Sequence, residues 1–115
     1  MDAGAALTEL TELSAQIEEA AIVGESGFVL ASTADDPSRG EALARIGAGL
    51  LDAAAEVRRD GTAVTRVEVA LGGGSVFVVH EVGRTIVATT VADPTPGLVI
   101  YDLRTALRRL DEPDA

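Results

Sequence analysis

The chain has 115 residues with 47% hydrophobic content, which suits one domain with a real core and is too apolar for a disordered chain. Its formal net charge is −10, so a phosphate backbone is an unsuitable partner and nucleic-acid binding is excluded as a working idea. It has no cysteine, which removes disulfides, thiolate metal sites and cysteine nucleophiles, and it has no apolar run of membrane-spanning length.

In chain order, the first four residues read as frayed, and an amphipathic helix runs from Ala5 to about Ala15 or Ile17. Leu7, Leu10, Leu13 and Ile17 would share its inner face. The start of the chain lacks the positive residues and apolar core of a signal peptide, so a cytoplasmic setting is expected. Ala20–Val23 and Phe28–Ala31, joined by Gly24-Glu25-Ser26-Gly27, read as a β-hairpin.

A long helix follows, over Ser38 to about Asp60. Two entries are open: Asp36 caps it with Pro37 at the first helical position, or Ser38 caps it with Glu41 closing a capping box. At 100° per residue, Leu43, Ile46, Gly47, Leu50, Ala54 and Val57 form the expected core stripe. Beside it lies a strip of small residues, Ala44, Ala48 and Ala55, bordered by Leu51, with Ala42, Gly49 and Ala53 on the other flank. The charges Glu41, Arg45, Asp52, Glu56 and Arg59 occupy an arc of only about 60°. Two readings stand: alanine is simply a good helix former in water, or this surplus apolar surface serves a second contact. Arg58, Arg59 and Gly61 mark the helix exit.

Three strands come next. In Val64–Leu71, Val67, Val69 and Leu71 alternate with Arg66, Glu68 and Ala70, as on a sheet edge. Gly72-Gly73-Gly74 turns the chain into the nearly continuous apolar strand Ser75–His80. Glu81-Val82-Gly83 turns it again into the β-branched strand Arg84–Val91. Thr95 and Pro96 open a last helix whose inner face is Val99, Ile100, Leu103, Ala106, Leu107 and Leu110. The order is αββαβββα. It predicts an α+β fold: one five-stranded antiparallel sheet, the long helix on one face and the terminal helices on the other. A single domain is expected over residues 1–115, ordered from about 5 to 111.

Chemical motifs are sparse. Gly72–Ser75 is followed by a strand, and the chain has no lysine, so a phosphate loop is a poor reading beside a hairpin turn. Asp35-Asp36 is a weak cation motif beside a helix cap. His80, the single histidine, has no partner for a metal pair or a nucleophile. Leu98 and Tyr101 either tuck against the hairpins or mark a contact patch, packing being favoured. Arg104, Arg108 and Arg109 form an outward basic strip, either solvated or a dock for an acidic partner. No catalytic residue, cofactor site or metal site is identified.

Three segments together resemble the roadblock/dynein light chain family: Gly27-Phe28-Val29-Leu30-Ala31-Ser32, the Ser38–Arg59 helix, and Thr89–Pro94 leading through Gly97-Leu98 into the last helix. The likeness covers about Leu7 to Leu110. It implies a non-enzymatic homodimer in which central helices pack and third strands pair across a two-fold axis. It also implies a partner, a small Ras-like GTPase whose hydrolysis bacterial relatives can stimulate. On that resemblance the candidate dimer interface is Ala44, Ala48, Leu51, Ala55, Arg66, Glu68 and Ala70. The candidate partner-binding residues are Arg45, Asp52, Arg104 and Arg108. The family has no tight contact motif, so an arginine finger cannot be assigned among Arg39, Arg45, Arg58 and Arg66. The rival functions are a structural adaptor for a non-GTPase protein or peptide and, ranked last, a small-molecule sensor.

Overall fold

Periodicity and turn chemistry fold the chain as a layered α+β sandwich. The computed structural model describes residues 1–58 and 60–113. The elements are α1 (Ala3–Leu13), β1 (Ile17–Val23), β2 (Val29–Ser32), α2 (Pro37–Val57), β3 (Arg66–Leu71), β4 (Gly74–Glu81), β5 (Arg84–Thr90) and α3 (Pro96–Arg109). The strands form one antiparallel sheet in the order β2-β1-β5-β4-β3. β2 and β3 are therefore its edges, and β1, β5 and β4, the most apolar strands, are central, where both faces are covered.

The two faces carry separate cores. On one, α1 and α3 pack Leu7, Leu10, Val99, Leu103 and Leu107 against Ile22, Phe77, Val79 and Ile86. On the other, α2 sets Leu43 against Ala21, Val78 and Val87, with Leu50, Leu51, Val67 and Val76 packed around them. The alternation along each strand produces this division, since Phe77 and Val79 face one way and Val78 the other.

Local chemistry sets the boundaries. Asp36 caps α2: its side chain accepts from the Ser38 N–H at 3.0 Å, and Pro37 stands in the first turn. The alternative cap at Ser38 is thereby displaced. Gly74 pairs with Leu71 and belongs to β4, so the turn itself is Gly72-Gly73. A side chain at Gly74 would collide with the Thr90 carbonyl oxygen, which explains a glycine there. The β4–β5 turn has positive φ at both Val82 and Gly83, as a type I′ hairpin turn requires.

Several expectations are corrected. α1 ends at Leu13, which is exposed, and Ile17 is the buried first residue of β1. The spacing of Ile17 from Leu13 suits a helix, but the β1–β5 ladder, with Ile17 opposite Thr90, outweighs it. β3 begins at Arg66 rather than Val64. α2 ends at Val57, with Arg58 already extended, and Arg59 lies outside the described residues. Ile46 and Val57, placed on the core stripe by periodicity, are exposed at 43% and 79%. Twenty-one helical residues span about 32 Å, whereas five strands are only about 19 Å across. α2 touches all five strands, so its end at Val57 outruns the sheet and has nothing beneath it, whereas Ile46, beside Gly47 over the central strands, is turned about 100° away from that contact.

Candidate interaction surface

α2 lies close to the sheet because two glycines let it. A Cβ at Gly40 would crowd Ser32 of β2, and one at Gly47 would overlap Val87 of β5. The helix therefore runs from β2 across the central strands and on to β3.

The candidate interface residues divide between two places. Ala44 and Leu51 are half-buried, and Ala48 and Ala55 are exposed. Ala44 and Ala48 line a groove with Glu41 and Arg45 against Val23, Phe28 and Val29 of the first hairpin. Leu51 and Asp52 continue it toward His80, Gly83 and Thr85. Phe28, 75% exposed, stands over this groove.

Arg66, Glu68 and Ala70 are all exposed on β3. Arg66 pairs with Val79 and Glu68 with Phe77, so their side chains share the α1/α3 face. They are thus on the opposite side of the sheet from the Ala44–Ala55 strip. The α2 side of β3 carries Val67, Val69 and Leu71 instead, with Leu71 62% exposed. Together with Ile46 and Val57, these form the apolar surface that the sequence reading did not assign to an interface. The alternation in β3 was the available signal. The overhang of α2 had none.

The backbone of β3 gives the edge its chemistry. The His80 N–H donates to the Thr65 carbonyl at 2.8 Å. Antiparallel ladders alternate, so Val67, Val69 and Leu71 also direct their N–H and C=O groups to β4. Arg66, Glu68 and Ala70 then point theirs outward, where no strand lies among the described residues.

Ion pairs separate the arginines into engaged and open ones. Arg104 and Arg108 both donate to Glu81, at 3.1 and 3.2 Å. Burial raises the Glu81 pKa, but these two hydrogen bonds outweigh it and hold the carboxyl below its ordinary value. Arg109 is held by Glu9 and Glu112. The basic strip expected on α3 is therefore largely neutralised by acids from β4, α1 and the chain end. Arg39 grips Glu19 with two hydrogen bonds, at 2.9 and 2.8 Å, and these depress the Glu19 pKa. Among the described arginines, only Arg45 and Arg66 make no ion pair, and neither Asp52 nor Glu68 makes one. Leu98 and Tyr101 are exposed on α3 rather than packed against the hairpins, because α3 turns Val99 and Leu103 inward. His80 engages Thr85 Oγ1 through Nδ1 at 2.8 Å.

The αββαβββα order, the single antiparallel sheet and the two helical layers define the roadblock/LC7 fold, and the chain has that fold. A roadblock/LC7 domain from Streptomyces avermitilis matches with a TM-score of 0.82 at 18% identity, over 96% of this chain and 95% of that one. A second Streptomyces roadblock/LC7 domain matches with a TM-score of 0.69 at 20% identity, over 91% and 94%. Myxococcus xanthus MglB matches with a TM-score of 0.69 at 16% identity, over 94% and 90%. No protein-family model and no curated protein matches the sequence. At such identities the likeness is one of fold. No helix among the described residues is long and apolar enough to cross a membrane.

Proposed function

We propose that the chain is a non-catalytic homodimeric regulator that binds a small Ras-like GTPase in the cytoplasm and alters its nucleotide cycle. The observation that carries the reading is the open β3 edge beside the apolar end of α2, in a chain with the roadblock/LC7 fold. An unpaired strand edge and an overhanging apolar helix are both liabilities for a lone molecule, and one two-fold contact relieves both. Two copies would join their sheets through β3 and bring their α2 helices together on one side.

The outward arc of α2, with Arg45 and Asp52 free of ion pairs and Phe28 beside them, is the surface offered to the GTPase. Arg104 and Arg108 are less suited to it, since leaving Glu81 would cost them charged hydrogen bonds. Binding shifts the GTPase only through a difference in affinity between its GTP and GDP states.

The test is a titration with the small Ras-like GTPase of the same genome, loaded with a GTP analogue or with GDP, alongside single-turnover hydrolysis. The expected result is tighter binding to one loaded form and a hydrolysis rate changed by the dimer. Equal affinity with an unchanged rate contradicts the regulatory reading and favours a structural adaptor.

A further inference from the structure

We infer that Arg66 and Glu68 set the register in which two copies pair through β3, with the two-fold axis at Val67. The inference rests on the dimer proposed above and says which residues face each other within it.

Backbone geometry limits the choices. Arg66, Glu68 and Ala70 direct their N–H and C=O groups outward, so a second antiparallel β3 can bond only by placing its own outward residues opposite these. An axis at Glu68 sets Glu68 against Glu68 of the second copy, a like-charge pair directly opposite. An axis at Arg66 does the same with two arginines. An axis at Val69 leaves Glu68 facing Ala70 and carries Arg66 past the strand end to Gly72. The axis at Val67 places Arg66 opposite Glu68 of the second copy, and Glu68 opposite its Arg66.

Charge complementarity therefore selects one register. Both side chains are exposed, both lie on the α1/α3 side of the sheet, and neither is occupied by an ion pair among the described residues. The same register lengthens the ladder by placing Val64 opposite Ala70. Thr65 already bonds to His80, so β3 has begun that extension. On the α2 side, Val67 meets Val67 as a non-hydrogen-bonded pair, with Cα atoms about 4.5 Å apart.

That distance lies within disulfide range, and the chain has no cysteine of its own. The experiment oxidises single-cysteine variants Val67→Cys and Glu68→Cys with diamide, at a concentration where light scattering shows the unmodified chain to be dimeric. The Val67→Cys variant is expected to cross-link rapidly and the Glu68→Cys variant slowly. Rapid linking through Glu68→Cys alone overturns the register and leaves the dimer standing. A monomeric unmodified chain overturns the dimer and the register with it.

A second readout needs no cysteine. Glu68→Ala removes both cross-strand pairs and should weaken dimer affinity roughly five-fold. If the axis passes through Glu68, the same change relieves repulsion and tightens the dimer. Unchanged or tighter association therefore counts against the register.

Discussion

The two faces of the sheet are covered unequally. The α1/α3 side holds fourteen buried cluster residues among those described, and the α2 side holds four. Two short helices seal the first face. One long helix crosses the second, held close by glycines, and runs beyond the sheet. A fold can thus have one face finished within the chain and another finished by a neighbour. The composition of α2 reflects this: its glycines and alanines bring backbones close and supply little core volume of their own.

The largest expected effect lies on the finished face. Leu103→Ala in α3 should cost about 2–5 kcal/mol of unfolding free energy. On the unfinished face, Leu43→Ala should cost less, near the lower end of that range. Because only folded chains associate, the melting temperature of either variant should rise with protein concentration as long as the dimer forms. Denaturation of both variants at two concentrations ten-fold apart checks the contrast. A cost at Leu43 equal to or larger than that at Leu103 would erase it.

Smaller again is Leu71→Asp. It places a charge on the exposed α2 side of the β3 edge and should dissociate the dimer while lowering the stability of the isolated chain by no more than about 0.5 kcal/mol. Sedimentation velocity together with monomer unfolding reads both quantities.

The smallest effect is one of pH. Glu19 and Glu81 have pKa values lowered by their arginine partners, so the unfolded chain binds more protons than the folded one at acid pH. Their contribution is complete above the ordinary glutamate value of about 4.5 and is lost as pH falls through the lower folded values. Glu81→Gln should therefore flatten the loss of stability below that pH, with little change in association. A urea series from pH 6 down to about pH 3 measures the slope.

The element order, the layers and the edge position of β3 could be read from the sequence, because alternation in Val67–Leu71 and the proline entries at Pro37 and Pro96 are local signals. What could not be read depends on distant partners. Ile17 continues the spacing of α1, yet it is taken into β1 by a ladder to Thr90, more than seventy residues on. Val57 fits the core stripe of α2 and lies in solvent because the width of the sheet, set by other segments, stops short of it, while Ile46 lies in solvent because the helix rests on Leu43 and Gly47, turning Ile46 to the flank. Arg104 and Arg108 look like an open basic strip until β4 brings Glu81 beside them. The candidate surface was legible as residue types on α2 and β3, but not as an arrangement. Helix spacing cannot reveal that the Ala44 strip and the Arg66–Glu68 pair lie on opposite sides of the sheet.

Sedimentation equilibrium of the unmodified chain at micromolar concentration bears most directly on the claim that a second copy covers the α2–β3 surface. A homodimer closed over that surface gives a species of twice the 11.8 kDa chain mass that dissociates on dilution. A single 11.8 kDa species across the whole concentration range would contradict it.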